Sequence, residues 1–261
     1  MKLEVNRRTL IGGAVAAGIG RVHAAQAERS PLLLVGASAR SAPAILQLAL
    51  DQGRRVTALA RRPEAVVERL PVQFREHAGL KMAKGDVYDV QSLADAMTGA
   101  ETVISLIAPA VDPNGPDITA VDIFSVGTAN LIFAMQRKGN RRIVPLSSGG
   151  TEMIPAAQPR ADAWATLRFV WHIRGVYQDM LRMEKIVRAS GLEYVISRPR
   201  RFVNEPARND LKFAVERPQP PVISSLTYAD FAVWVLAAAD GREYLGKTVG
   251  IYTDKVVSAP G

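Results

Sequence analysis

The sequence predicts a single α/β domain with a doubly wound parallel sheet and a small substrate region at its C-terminal end. Three observations carry this. Short apolar runs alternate with stretches of helical spacing from residue 32 to residue 252. A turn of small residues, GASARSA, joins the first run to the first helix. A length of 261 residues, 48% of them hydrophobic and without a repeat of fixed period, is enough to bury one large core.

Taken in order, Leu32–Val35 is a continuous apolar run, the pattern of a central strand covered on both faces. Residues 42–50 carry helical spacing and Gly53 closes that helix. Residues 55–60 alternate as a second strand, residues 80–84 form a weaker third, and residues 102–107 a strong fourth. Residues 92–97 fit a helix between strands three and four, and residues 118–136 a long helix after strand four. Residues 142–146 are a fifth strand. Val176, Met180, Met183 and Val187 recur at helical spacing up to a Ser190-Gly191 stop, and residues 193–197 form a sixth strand. Residues 228–239 read as a late amphipathic helix and residues 248–252 as the final strand, with right-handed crossovers throughout. The proline cluster at residues 216–222 predicts a rigid surface loop.

The first thirty residues follow a different pattern. Arg7 and Arg8 precede a mildly apolar, Gly/Ala-rich stretch from Leu10 to Ile19, and Ala25-Gln26-Ala27 fits a cleavage site, with Val22-His23-Ala24 as the alternative. The apolar stretch is shorter than the roughly 20 residues a membrane span needs. Paired arginines before such a core resemble a twin-arginine signal, which exports folded proteins. The expected organisation is a signal peptide over residues 1–27 and one domain over residues 28–261, whose substrate-side elements lie mainly after residue 197. The expected location is periplasmic or otherwise exported, with the twin-arginine translocase as a transient partner and no stable membrane span after cleavage; without a working signal the protein stays cytoplasmic. Cleavage removes four basic residues and one acidic one, so the formal charge falls from +8 to +5. The remaining basic residues are scattered without interleaved aromatics, which argues against a nucleic-acid partner. The absence of cysteine excludes disulfides, thiol chemistry and Cys-ligated metal, and no spacing of the three histidines suggests a metal site.

The turn after strand one is the first candidate site. Gly36 permits a tight turn, and the N-terminus of the following helix offers N–H groups to a pyrophosphate. Ser38, Ala39 and Arg40 complete the turn; Ala39 stands where a glycine ordinarily lets the backbone approach the phosphate, and its methyl group narrows that approach. Strand two ends on Arg61 and Arg62 rather than on an acidic residue. Two guanidinium groups pair with a ribose 2′-phosphate, so the expected cofactor is NADP(H). Arg40 is within reach of the same phosphate.

The fragments GASARSA, VTALARRP, KGDVYDVQSLADAMTGAETVISLI and EKIVRASGLEYVISRP together resemble the NmrA-like, NAD(P)-binding branch of atypical short-chain dehydrogenases/reductases, which includes the biliverdin-B/flavin reductase type. The resemblance covers about residues 31–255 and implies a Rossmann fold. It further implies that Asp86 and Val87 face the adenine, and that Ile107, Ala108 and Pro109 flank the ribose and pyrophosphate.

The chemistry is less legible. The largest branch of the superfamily pairs a tyrosine with a lysine four residues later, and here no tyrosine has one: Tyr177 is followed by Leu181, with Lys185 two turns away. Ser147 and Ser148 occupy the place of the family's strand-five serine and are candidates to hydrogen-bond a substrate oxygen. Tyr177 is the candidate proton donor, and His172 a weaker one. Arg198, Arg200 and Arg201 follow strand six; facing a pocket, they favour an anionic small-molecule substrate. The expected function is NADP(H)-dependent hydride transfer by a protein exported with its cofactor bound, and the alternative is a non-catalytic NADP(H)-binding sensor or interaction protein.

Overall fold

Two cores are already separated within the first strand, because Leu32 and Leu34 join one apolar cluster and Leu33 and Val35 the other. The computed structural model describes residues 30–112, 114–163, 165–220 and 224–255. The segment expected to be a signal peptide, with both cleavage sites, lies outside the described residues.

The chain runs β1 (Leu32–Val35), α1 (Ala42–Asp51), β2 (Val56–Ala60), α2 (Pro63–Val67), α3 (Val72–Arg75), β3 (Leu80–Lys84), α4 (Val90–Ala96), β4 (Thr102–Ser105), α5 (Ile123–Lys138) and β5 (Arg142–Pro145). A 3₁₀ turn at Gly149–Glu152 follows, then α6 (Ala165–His172), α7 (Arg174–Ala189), β6 (Glu193–Pro199), β7 (Arg201–Val203), β8 (Lys212–Val215), β9 (Ser225–Thr227), α8 (Tyr228–Asp240) and β10 (Lys247–Tyr252). The main sheet has the order β3-β2-β1-β4-β5-β6-β10-β8. Seven strands are parallel and only β8 runs antiparallel, against β10 at the edge. β7 and β9 form a separate parallel pair beyond the end of β6. This is the doubly wound sheet that the sequence predicts, and strand order reverses between β1 and β4, where such folds open a ligand crevice.

Helices α1 and α8 pack on one face through Ile45, Leu46, Phe231 and Val235. Helices α4, α5 and α7 cover the other through Leu93, Leu131, Met135, Met183 and Val187. The central strands are therefore wetted on neither face, which is why they read as unbroken apolar runs.

The helix after β4 starts five residues later than its sequence pattern suggests, at Ile123 instead of Ile118. Ile118 and Val121 do pack against the core, but as loop residues. What fixes the start is a cap from another helix. Asp179 of α7 is fully buried, and its Oδ2 accepts hydrogen bonds from the N–H groups of Phe124 at 2.8 Å and Ser125 at 3.3 Å, while Asp122, next to the helix, caps nothing and accepts the Tyr88 hydroxyl at 2.8 Å. A carboxylate at a helix N-terminus satisfies otherwise open donors and favours the helix dipole. Arg182 completes the arrangement by donating from Nε to Asp179 Oδ1 at 3.2 Å.

Because Asp179 joins α7 to the first turn of α5, Asp179→Ala leaves the buried N–H of Phe124 and the half-buried N–H of Ser125 open. The expected loss is about 2 kcal/mol of folding stability, read as a lower urea midpoint at unchanged slope.

Candidate functional site

The carboxyl ends of β3, β2, β1 and β4 lie side by side, and they carry the residues expected to hold a dinucleotide in the matching order. Gly36 opens the turn after β1 with φ of +78°, and a Cβ at that position would stand 2.7 Å from the carbonyl oxygen of Leu106. Any side chain there is strained twice, by its own backbone and by the end of β4. Gly36 and Ala37 both donate their N–H groups to Leu59 O, at 3.1 and 3.0 Å, which ties the turn to β2. Among the described residues no hydrogen bond engages the N–H of Ser38, Arg40 or Ser41, so the turn keeps donors open to an anion. Ala39 is half-buried and packs against the core, a placement that takes up part of its methyl group.

Arg61 and Arg62 follow β2 and are exposed, as are Arg40 and Ser38. Arg69, which the sequence reading passed over, donates to the carbonyl oxygen of Ser38 at 2.7 Å and brings a further guanidinium to the same turn. Asp86, after β3, spends Oδ1 on the Tyr88 N–H at 3.0 Å. The Val87 carbonyl accepts from Asn130 Nδ2 at 3.0 Å, which anchors this loop to α5. Ile107 is buried in the core beyond β4, Ala108 is exposed, and Pro109 is half-buried. These positions fit a dinucleotide: a glycine turn with open donors, a cationic end to β2 and small residues after β4.

Next to Ala108 and Pro109 opens a cavity of about 270 Å³ lined on its other sides by Ser148, Tyr177, Arg200 and Arg201, with Phe124 and Met180 below. A larger depression of about 710 Å³ lies at the amino ends of the strands, bordered by Ser30, Glu101 and the paired Arg142 and Glu193. Doubly wound folds bind ligands at the carboxyl ends, so the smaller cavity is the candidate substrate site.

The two adjacent serines have different surroundings. Ser147 is 2% exposed and its hydroxyl donates to Glu184 Oε1 at 2.7 Å. Ser148 Oγ accepts the Gly150 N–H at 3.1 Å and hydrogen-bonds the Tyr177 phenol. Burial pushes the Tyr177 phenol above its usual range, and Ser148 and the Arg200 guanidinium offset part of that rise. A Cβ on Gly150 would stand 2.4 Å from Tyr177 Cζ, so this glycine is what lets the ring lie over the turn.

The three arginines after β6 also separate. Arg198 is committed to carboxylates: Nε and Nη2 bind Glu184 at 2.7 and 2.6 Å, and Nη1 binds Glu152 at 3.0 Å. Burial lowers the Arg198 pKa, but the two carboxylates outweigh it and raise it overall. Its charge is therefore not offered to a substrate, unlike the sequence-level expectation, because Glu184 of α7 reaches it first. Arg200 and Arg201 do line the cavity. His172 lies outside that lining and contacts Asp117 Oδ1 and the Asp112 carbonyl, both at 3.2 Å.

Glu184 is the second residue that sequence reasoning passed over. A charge set among Val176, Met180, Met183 and Val187 on one helix face was the available signal. Fully buried, it accepts from Ser147, Arg188 and Arg198. Glu184→Ala leaves Arg198 with Glu152 alone and opens its Nε and Nη2, and is expected to cost about 3 kcal/mol, whereas Glu184→Leu with Arg198→Met recovers most of it. Chemical denaturation of the three proteins checks this.

The fold is shared with several proteins of known structure. A short-chain dehydrogenase/reductase from Veillonella parvula DSM 2008, solved in complex with NADP, superposes with a TM-score of 0.66 at 17% identity, over 89% of this chain and 98% of that one. An anaerobillin reductase from Escherichia coli O157:H7 gives 0.66 at 18% identity, over 88% and 100%. A Rossmann-fold NAD(P)-binding family protein from Shigella flexneri gives 0.63 at 20% identity, over 89% and 98%. Residues 36–241 match the family described as NAD(P)H-binding. With the glycine turn, the ends of β2, β3 and β4 and the adjoining cavity all inside that span, the chain belongs to the NAD(P)H-binding family.

Proposed function

We propose that this protein is an NADP(H)-dependent oxidoreductase of the atypical short-chain type that reduces a small anionic substrate. The observation that carries the reading is the placement of the Tyr177 phenol beside Ser148 in a cavity that adjoins the end of β4. Exposed Arg61 and Arg62, with Arg40 close in the turn after β1, favour a cofactor that carries a 2′-phosphate. The open N–H groups of that turn suit its pyrophosphate. Asp86 and Val87 are the adenine-side residues in this reading.

When bound, NADPH supplies a hydride from its nicotinamide ring. The chain supplies the rest. Phe124, Ile173 and Met180 exclude water from the floor of the cavity. Ser148 orients the phenol, and Tyr177, protonated at neutral pH because burial disfavours the phenolate, donates a proton to the substrate oxygen. Arg201, exposed at the rim, attracts a negatively charged substrate.

Residues 1–27 support export through the twin-arginine route, with the translocase as a passing partner and residues 28–261 as the mature domain. That route moves folded proteins, so the cofactor travels bound. Beyond the cytoplasm NADPH is not regenerated, and a retained cofactor recycled between two substrates suits that compartment.

Two measurements test the reading. Replacing Arg61 and Arg62 together by alanine is expected to weaken NADPH binding about 10–100-fold and leave NADH binding unchanged, which fluorescence titration reads directly; equal loss for both cofactors would refute the 2′-phosphate assignment. Tyr177→Phe is expected to lower NADPH-dependent turnover about 100-fold or more, across a panel of α-keto acids and other anionic carbonyl compounds, without changing NADPH affinity. Full activity in that variant removes Tyr177 from the chemistry.

A further inference from the structure

The tyrosine of this site has Leu181, not a lysine, four residues on along its helix, and Lys185 is two turns away, yet a cation from another element, Arg200, lines the same cavity. Arg200 leaves the sheet directly after β6 and lies along the 3₁₀ turn, where a Cβ on Gly149 would stand 3.1 Å from its Cδ and 3.2 Å from its Nε. Tyr177 lies over the next residue, Gly150. Two adjacent glycines thus form one floor for the two side chains. Side chains on either would push one of the pair away.

The partners of Arg200 are neutral. Nη1 donates to Gly149 O at 3.3 Å and lies 3.1 Å from Met153 Sδ, and Nη2 donates to Pro220 O at 2.9 Å. Nε is buried and has no hydrogen-bond partner among the described residues. The nearby Glu152 is already occupied by Arg198 at 3.0 Å and by the Gln219 N–H at 3.0 Å. The positive charge of Arg200 is therefore held in place by carbonyl dipoles without a carboxylate of its own, and Tyr177 feels it. A guanidinium tethered this way acts on its surroundings more strongly than one cancelled by an ion pair.

We propose that Arg200 is the positioning residue of this site: it supplies, from the end of β6, the positive charge that α7 does not place one turn after Tyr177, where Leu181 stands, and so lets the Tyr177 phenol give up its proton. The proposal rests on the reading of Tyr177 as proton donor. In the step itself a hydride adds to the substrate carbon, the carbon–oxygen π pair moves to oxygen, and that oxygen takes the phenolic proton. NADPH leaves as NADP⁺, and Tyr177 is left as a phenolate beside Arg200 until solvent returns the proton. Ser148 donates to the same phenolate, and Arg201 at the rim is the other cation lining the cavity.

The test does not need the substrate. The full chain is labelled with 3-fluorotyrosine, whose lower phenol pKa brings the titration towards the range where the fold survives. The Tyr177 fluorine resonance is assigned by its loss in Tyr177→Phe and titrated in the wild type and in Arg200→Met, Arg200→Gln and Arg200→Lys. Gln keeps a hydrogen bond without the charge; Lys keeps the charge without the fork. The expected result is a midpoint about one pH unit higher in both neutral variants, with Lys returning most of the way to the wild type. If one neutral variant does not fold, the other decides. An unchanged midpoint in a folded neutral variant, or a Lys variant that behaves like Gln, overturns the proposal. NADPH titration of the same samples separates the two failures: wild type that binds no NADPH refutes the oxidoreductase reading, whereas normal NADPH binding with an unmoved midpoint refutes only the role of Arg200.

Discussion

The buried ion pair between Glu184 and Arg198 sets the geometry on which the substrate side of the molecule depends. Glu184 lies seven residues after Tyr177, two turns along the same face of α7, and Arg198 lies two residues before Arg200, on the same side of the strand exit. Clamping one residue of each pair fixes the other two. The bidentate contact, at 2.7 and 2.6 Å, holds α7 against the end of β6, Ser147 draws in the end of β5 through Glu184, and Glu152 brings the 3₁₀ turn to Arg198. Two charges taken from water do not stabilise a fold cheaply. Here they determine which side chains meet.

On the cofactor side the organising constraint is the backbone. Gly36 brings the turn against Leu106 and so joins the strands on either side of the point where the sheet order reverses. The substrate half carries what is particular to this chain: a tyrosine with no lysine four residues on, and arginines at the exit of β6. The turn, the β2 arginines and Arg69 together offer several anchors for a nucleotide with three phosphates, which suits the export with bound cofactor that we propose.

The middle of the sheet was legible because strands such as β1 and β4 are buried along their whole length, and local apolar content is then enough to announce them. The start of α5 was not, because its cap is Asp179, more than fifty residues away, while Ile118 and Val121 extend the apolar pattern into the loop before it. The short elements α2, α3 and β7–β9 carry too few residues for a period to show. The same limit applies at the site. Ser147 and Ser148 are neighbours in sequence, but only the position of Glu184 determines that the first is bound into the core and the second stands beside the phenol. Arg198 and Arg200 differ for the same reason: the former meets a buried carboxylate and the latter meets carbonyl groups. Residue types were available in the sequence; which of them share a cavity is a property of long-range packing.

The measurement that bears most directly on the account is identification, by native mass spectrometry, of the ligand carried by the protein recovered from the exported fraction of its own cells. One NADP(H) per chain is the result that an exported, cofactor-retaining oxidoreductase requires. Protein that is exported empty, or that carries no nucleotide and acquires none when NADPH is added, would contradict it.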